Sequence, residues 1–407
     1  MNVTDEQLFS SALGIEDPIF IENILFDKNE KTLHIYLNFR RGSRFCCPKC
    51  KTTELPVYDT IEKTWRHLNF FQHKCYIHLR TPRIKCPNCD IHQWIPPWCR
   101  PQSGFTLFFE TNILKMAKYM SISALSELVD EYDTRIWRIV HHWVEKAQDK
   151  RDFSSVRKIG IDETSSRKGH NYFSIFVDLE SKKVLFATEG KDSKTVERFA
   201  KELSLHNAKK DQITDVAVDM SLAFMCGVRD NLSNAKITFD KFHVVKELNK
   251  VVNEVWRGEV GVNSVLKRSR YVWLKNPENL SEKQKEVFES VSKENTMTAK
   301  AYQLKLTFQD IYRNVRGRFV AKGLIDKWMG WAVRCRILPM KRFVRMLRSH
   351  YDGVLEYFDS GLTSGVMEGL NSRIQEVKRR AKGFRSTQNF LDMIYLVCGG
   401  LDLGLPI

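Results

Sequence analysis

Long apolar runs are absent from this 407-residue sequence, although 43% of its residues are hydrophobic. No segment is long enough to span a membrane. The opening MNVTDEQLFSS shows no basic stretch followed by an apolar one, so no secretory leader is read there. Both absences lead to the expectation of a soluble, cytoplasmic chain with no membrane partner. Acid is also short, with 49 Asp and Glu against 65 Lys and Arg, a net charge of +16. That balance argues against a cationic partner and favours a polyanion, nucleic acid before an anionic membrane. There is no internal repeat and no low-complexity tract, and the length implies about two to four domains. Proline is sparse, yet three of the eleven fall in IPPWCRPQSG, which reads as a linker. In a reducing compartment the ten cysteines do not make a disulfide framework, which leaves metal ligation and plain burial.

What is present changes character along the chain. Residues 1–100 read as a β-rich unit. FIENILFD and KTLHIYLNF form a hairpin about the turn Lys28-Asn29-Glu30, and CYIHLRTPRIKC is extended. Residues 101–152 read as a helix-turn-helix. Ile122, Leu125, Leu128 and Val129 share a face of its first helix, and Ile136, Ile139, Val140 and Trp143 a face of its second. The break Glu131-Tyr132-Asp133-Thr134 lies between them, with Thr134 placed to cap the second helix. Residues 153–245 give the order β-β-β-α-β-α-β, a mixed α/β sheet whose first hairpins are antiparallel. Residues 246–355 show no clear strand and read as a helical insertion. Within it, residues 313–350 hold eleven Lys or Arg and one acid, Asp326. Residues 356–407 read as helix returning to the α/β unit.

Three constellations carry chemistry. Cys47-Pro-Lys-Cys50 and Cys86-Pro-Asn-Cys89 are matched tight turns. Each presents two thiolates, and together they suit a tetrahedral structural Zn²⁺. Cys75 and Cys99 are spare thiols, and Cys46 competes with Cys47 for the ligand set. Arg135, Arg138, His141 and His142 line the exposed side of the second helix, where Arg can meet base edges or phosphates. An ordinary hairpin with a solvated charged face is the alternative.

The third constellation is acidic. Asp162 in KIGIDET and Asp219 in DVAVDMS each follow a short apolar run and are placed at strand tips. Glu368 opens the helix of TSGVMEGLNSRIQEVKRRAKGFR. Three carboxylates on separate elements can hold divalent ions beside a phosphodiester, where two ions roughly 4 Å apart activate the nucleophile and stabilise the leaving oxygen. Mg²⁺, or Mn²⁺, suits such hard oxygen donors. Glu163 and Asp178 are rival carboxylates, and an Asp after a strand is often a turn residue. Asp240 and His243 follow the last strand, where His243 can meet a phosphate or orient a carboxylate. A polar pair at a strand–helix junction explains them equally well. Lys378, Arg379, Arg380, Lys382 and Arg385 follow Glu368 and are suited to backbone phosphates.

Together these residues resemble the insertion-sequence transposases of the ISL-three family, a branch of the DDE transposases. The resemblance rests on the paired C-P-x-C turns, I-G-I-D-E-T, V-A-V-D-M-S, F-D-K-F-H-V and S-G-V-M-E-G-L-N-S-R-I leading into K-R-R-A-K-G-F-R. They occur in the family's order over nearly the whole chain. The resemblance implies a ribonuclease-H-like core interrupted by a helical insertion between the second Asp and the Glu. It implies that Asp162, Asp219 and Glu368 are the metal-binding triad and that Asp240 and His243 match a D-x-x-H signature. It also implies that the zinc unit and helix-turn-helix recognise terminal inverted repeats of double-stranded DNA. The expected activity is cleavage at element ends and transfer of the 3′ hydroxyl to target DNA. A homodimer or larger oligomer is expected, because two ends must be joined. A DNA-binding regulator without catalysis and a nuclease of the same fold are the competing readings.

Overall fold

The computed structural model describes residues 5–165, 172–294, 296–363 and 365–405. The chain divides into two compact units, Met1–Trp143 with Asp402–Ile407, and Val144–Leu401. No helix among the described residues is long and apolar enough to cross a membrane.

The first unit begins with α1 (Asp5–Leu13), which the polar opening sequence did not suggest. Strands β1 (Ile19–Asp27), β2 (Thr32–Phe39), β3 (Arg44–Phe45), β4 (Leu55–Phe70), β5 (His73–Cys86) and β6 (Asp90–Gln93) follow. They pair in the order β1-β2-β5-β4-β3, with β6 on β5. The β1–β2 hairpin is closed by Asp27, whose carboxylate accepts from the amides of Asn29 and Glu30 at 2.8 and 3.1 Å. Alternation sets the buried face, with Leu33, Ile35 and Leu37 of β2 inward beside Ile77 and Leu79 of β5. The long β4 was not anticipated, because its charged middle lacks a clean apolar alternation.

Three helices complete this unit: α2 (Leu107–Ala117), α3 (Ile122–Val129) and α4 (Asp133–Gln148). Thr106 and Ser121 cap the first two with their hydroxyls. Thr134 does not cap the third. The helix already begins at Asp133, and the Tyr132 carbonyl accepts from the amides of Arg135 and Ile136. Ile122 and Leu125 are buried as expected, but Leu128 is 60% exposed, because the short α3 ends one residue later at a left-handed Asp130.

A buried carboxylate organises the three helices. Glu110 is fully buried and accepts from Arg100 Nε at 3.0 and 2.9 Å, Ser103 Oγ at 2.6 Å and Trp143 Nε1 at 2.6 Å. It thereby ties the proline-rich linker and α2 to α4. Buried Arg66 plays a similar part on β4, with its guanidinium between the Tyr76 and Phe109 rings and donating to His67 O and Asn69 Oδ1.

The second unit holds β7 (Lys158–Ser165), β8 (Tyr172–Asp178), β9 (Lys183–Glu189), α5 (Ser193–Leu205), β10 (Asp215–Val218), α6 (Leu222–Asn231) and β11 (Lys236–Phe239). The sheet order is β11-β10-β7-β8-β9. β7, β8 and β9 are antiparallel neighbours, while β10 is parallel to both β7 and β11. Phe176 of β8 stacks on Phe199 of α5, ring centroids 4.4 Å apart, so the amphipathic helix covers one face.

Then come α7 (Lys241–Glu259), α8 (Arg270–Leu274), α9 (Glu282–Ser292), α10 (Met297–Asn314), α11 (Arg318–Arg334), α12 (Leu338–Ser349) and α13 (Tyr351–Ser360). They share a core that includes Leu248, Trp273, Phe308, Trp328 and Phe343. Lys305 is buried in it and donates to the carbonyls of Trp273, Leu274 and Lys275 at 3.1–3.2 Å, satisfying the end of α8. Burial pulls its amine down to about 8. α13 returns to the sheet, lying so close to β11 that a methyl group on Gly353 would collide with Phe239. α14 (Gly365–Arg380) packs on β7, and α15 (Thr387–Cys398) packs on β9, where the Tyr395 hydroxyl accepts from Ala187 N at 2.9 Å.

Replacing Glu110 strands Arg100 and Trp143 without their acceptor. Glu110→Ala is expected to cost the first unit about 3–5 kcal/mol, the usual cost of breaking a buried pair. Chemical denaturation followed by tryptophan fluorescence measures this.

Candidate active site and cysteine cluster

Strand register brings the acids together. Ile161 of β7 pairs with Val218 of β10, and Val218 pairs with Phe239 of β11. Asp162, Asp219 and Asp240 are the next residue on each of these three parallel strands. Neighbouring strands lie about 4.8 Å apart. The three carboxyl-bearing positions therefore form one row just beyond the last ladder pair. Asp219 and Asp240 do follow strand ends. Asp162 does not: β7 continues to Ser165 by pairing with β8, so the expected strand tip is corrected to a mid-strand position. The strand is open only on its β10 side, because β10 stops at Val218.

The helix α14 runs along the same strand. Met367, Asn371, Gln375 and Lys378 form one helical stripe, and Gly160, Asp162 and Thr164 form one strand face. Four helical residues rise about 6 Å and two strand residues about 6.6 Å, so the two elements keep step. A methyl group on Gly160 would collide with the Met367 thioether. Asn371 Nδ2 donates to Asp162 Oδ2 at 2.5 Å, Gln375 Nε2 to Thr164 Oγ1 at 2.7 Å, and Lys378 Nζ to Ser165 O at 2.7 Å. Glu368 lies next to Met367 and three residues before Asn371, exposed near the start of α14. Asn371 and Gln375 had not been singled out from sequence. Their one signal was spacing, three and seven residues after Glu368.

The Asp162 carboxyl is pushed above its ordinary range, chiefly by burial. The neighbouring Asp219 and Glu163 push the same way, while the amide of Glu163 and the His243 ring oppose them. His243, in the first turn of α7, is therefore near this acid. Asn371 Oδ1 is buried with no hydrogen-bond partner among the described residues. An orphaned oxygen beside the Asp162 carboxylate offers hard oxygen donors of the kind a divalent cation takes. Asp219 also accepts from Ser221 N at 3.0 Å, and Asp240 from Phe242 N at 3.1 Å as the cap of α7. Both thus have the bland structural role as well. Of the rivals, Asp178 pairs with Ile159 at the far end of β7 and binds the turn amides of Glu180 and Ser181. Glu163 follows Asp162 and points to the other sheet face by alternation.

In the first unit, Cys47 and Cys50 lie in the turn after β3, while Cys86 ends β5 and Cys89 lies in the β5–β6 turn. Their four sulfurs lie within 4.8 Å of one another, with Cys47–Cys89, Cys50–Cys86 and Cys50–Cys89 each at 3.4 Å. Tetrahedral zinc–thiolate bonds of about 2.3 Å place sulfurs about 3.8 Å apart, so the cluster fits a structural Zn²⁺. Among the described residues no other group of three His, Cys, Asp or Glu closes to that span, so the acidic row and Glu368 stand more openly. The Thr52 hydroxyl, at 3.1 Å, is the main cause that pulls the Cys50 thiol down to about 6. Cys46 is exposed and lies outside the cluster, which decides between it and Cys47. Burial pushes Cys75 up to about 11 and Cys99 up to about 12, so both stay protonated.

The α4 residues divide. Arg138 is exposed. His141 stacks on Trp137 at 5.6 Å, and His142 meets the edge of Trp143 at 5.3 Å. Arg135 is not on a free face. It pairs with Glu131 at 2.5 Å and lies 4.4 Å over the Phe105 ring, held there by charge and by the aromatic face. The basic segment divides likewise. Lys378 is tied to β7 and Arg380 lies 3.9 Å from Glu376, whereas Arg379, Lys382 and Arg385 are exposed.

Comparison with known proteins agrees with this division of labour. Residues 43–89 match the zinc-finger of transposase IS204/IS1001/IS1096/IS1165. Residues 95–144 match the helix-turn-helix domain of transposase family ISL3, and residues 159–394 match the transposase domain of that family's DDE type. The chain is 28% identical over 435 aligned residues to the transposase for insertion sequence element IS1557 of Mycobacterium tuberculosis, covering 98% of this chain and 97% of that one. It is 24% identical over 383 residues to the transposase for insertion sequence element IS1001 of Bordetella parapertussis, covering 88% and 90%. A mixed sheet carrying acids, joined in one chain to a cysteine cluster and a helix-turn-helix, is the plan of a DNA-cleaving and strand-transferring enzyme. The chain belongs to the ISL3 family of DDE transposases.

Two measurements probe these centres. An acid raised in the folded state favours folding most at low pH, and that contribution is lost as pH climbs past its raised value. Asp162→Asn is therefore expected to raise the melting temperature by a few degrees at pH 7 in chelator and to flatten its fall between pH 4 and 7 (roughly the carboxylate range). For the cluster, elemental analysis is expected to find about one zinc per chain. The double substitution Cys47→Ser with Cys50→Ser removes it and unfolds the first unit; retained zinc would refute this ligand set.

Proposed function

We propose that this chain binds the terminal inverted repeats of its own insertion sequence, cleaves there and joins the freed 3′ hydroxyl to target DNA. Asp162, Asp219 and Glu368 are the catalytic carboxylates in this reading. The observation that carries it is the coincidence of strand register with the α14 stripe, which draws residues 162, 219 and 368 towards one end of one sheet. The sheet order, three antiparallel strands followed by two parallel ones on the β7 side, supports a ribonuclease-H-like fold for residues 153–245 with 356–407. Residues 246–355 are then an insertion into that core. Residues 1–100 are the zinc-binding unit, with Zn²⁺ held by Cys47, Cys50, Cys86 and Cys89, and residues 101–152 the helix-turn-helix.

In the first step water attacks the phosphodiester at the element end and the 3′ oxygen leaves. In the second, that 3′ hydroxyl attacks a target phosphodiester. Asp162, Asp219 and Glu368 would hold Mg²⁺ or Mn²⁺, which would supply activation of the attacking oxygen and stabilisation of the leaving one. Asn371 orients Asp162 through its amide. His243 lies where it can orient Asp162 or meet a phosphate, and Asp240 fixes the start of the helix that carries His243. Arg379, Lys382 and Arg385 are suited to neutralise backbone phosphates. Arg138, with His141 and His142, is suited to contact DNA from α4. Double-stranded DNA is the substrate, a dimer or larger assembly brings two ends together, and the cytoplasm with its nucleoid is the place of action.

Asp219→Asn is expected to abolish cleavage and joining while binding of end DNA stays within about twofold, since one surface-independent substitution leaves phosphate contacts intact. Gel shift and cleavage on the same labelled duplex check both. Loss of binding would instead assign Asp219 to the turn it makes with Ser221.

A further inference from the structure

The hairpin between β4 and β5 ends in an exposed aromatic tip. Phe70 pairs with His73, so Phe71 and Gln72 alone form its loop. Phe71 has a φ of +52° and is 81% exposed. Tight hairpin loops favour glycine in that left-handed conformation, because a Cβ there is strained. An aromatic ring in it is both strained and bare, and neither property helps the hairpin to form. The ring meets Phe70 edge-on with centroids 4.6 Å apart, and Phe70 meets Phe9 of α1 at 5.6 Å. Phe26 of β1, against His73 at 5.1 Å, widens the apolar surface.

A groove of about 560 Å³ lies next to this tip and includes Asn69 in its lining. Leu68, Phe108, Met116 and Leu128 make it largely apolar, and Leu128 is 60% exposed. Lys115 of α2 also lines it. Glu127 and Asp130, at the end of α3, are exposed beside it. Lys74 pairs with Asp130 and fixes the hairpin to that end of α3. Tip and groove both belong to the first compact unit, so they move as one body.

A contiguous apolar surface of this kind marks an interface with another protein. Duplex DNA is the poorer occupant, because its phosphates would meet Glu127 and Asp130. A second copy suits the surface on two counts. A knob and a hole side by side satisfy a two-fold pairing, in which each copy's knob enters the other's hole. The rim carries both signs, Lys115 and Glu127, so the same symmetry can set a cation of one chain opposite an acid of the other. We propose that two copies of this chain pair through their first units, the Phe71 tip of each seated in the groove between β4, α2 and α3 of the other. The inference rests on the reading above that an assembly joins two element ends, and it deepens that reading by making the unit with the helix-turn-helix the part that pairs.

The test is sedimentation equilibrium of the full-length chain at micromolar concentration without DNA. The wild type is expected to be a dimer. Phe71→Gly suits the left-handed turn, and Leu128→Arg changes an exposed side chain, so both variants are expected to keep the zinc content of the wild type, which shows that the unit is folded. Each should weaken dimerisation by about a hundredfold or more, because burial of one large apolar side chain is worth about tenfold or more and the symmetric contact is lost twice. An equimolar mixture of the two variants should recover a heterodimer of intermediate strength. The Leu128→Arg chain keeps its tip and the Phe71→Gly chain keeps its groove, so one of the two contacts re-forms. A monomeric wild type overturns the proposal. A mixture no stronger than either variant also overturns it, because the tip then does not enter the groove. Phe71→Gly that still dimerises but binds an end duplex more weakly overturns it and assigns the tip to DNA. Cleavage is not read in any of these measurements, so failure of the carboxylate assignment and failure of this interface are separate results.

Discussion

Hydrogen-bonded register between β7, β10 and β11 is the constraint on which the catalytic half depends. Once Ile161, Val218 and Phe239 share one row, the next residue on each strand is an acid, and all three acids emerge at the same sheet end. A slip of one residue would turn every side chain to the opposite face. It would bury Asp162 under α5 in exchange for Ile161. The apolar cores on both faces of the sheet resist such a slip. Val216, Val218, Ile159 and Ile161 are all buried to within 1%. The acids are thus placed by the packing of their apolar neighbours and not by any attraction among themselves, which between carboxylates is repulsive.

The helix α14 adds the second coordinate. Its stripe matches β7 residue for residue, because helical and extended rises nearly coincide over four and two residues. Gly160 lets the helix approach, and the Asn371, Gln375 and Lys378 bonds hold its phase. Glu368 inherits its position from that phase. The helical insertion and α13 then return the chain to this edge of the sheet. In the other unit, a similar division holds on a smaller scale. The cysteine cluster gathers strand turns, while the buried Glu110 and Arg66 bind linker, sheet and helices into one body.

Much of this was legible in the residues. The strand and helix order of 153–245 follows from short β-branched runs alternating with helical periodicity, and the elements fall where those patterns predict. The matched C-P-x-C turns named their own partners, since only two such turns exist. Other features were not legible. β4 carries charge on both faces of its middle, and α1 is too polar to stand out. Thr134 looked like a cap because cap preference is local, yet Tyr132 starts the helix two residues earlier. Arg135 and Lys378 read as free cations, because a sequence does not reveal which carboxylate, ring or carbonyl will lie across from them.

By itself the sequence determined chemistry and order: which acids, thiols and bases exist, which elements carry them, and which family arranges them so. Local patterning suffices for that, because propensity and periodicity act over a few residues. Tertiary structure alone decided register, phase and partnership. It set Asp162 in mid-strand beside Asp219 and brought Asn371 onto Asp162 across 209 residues of chain. Those outcomes depend on contacts between distant segments, whose energies are settled only when the whole core packs at once.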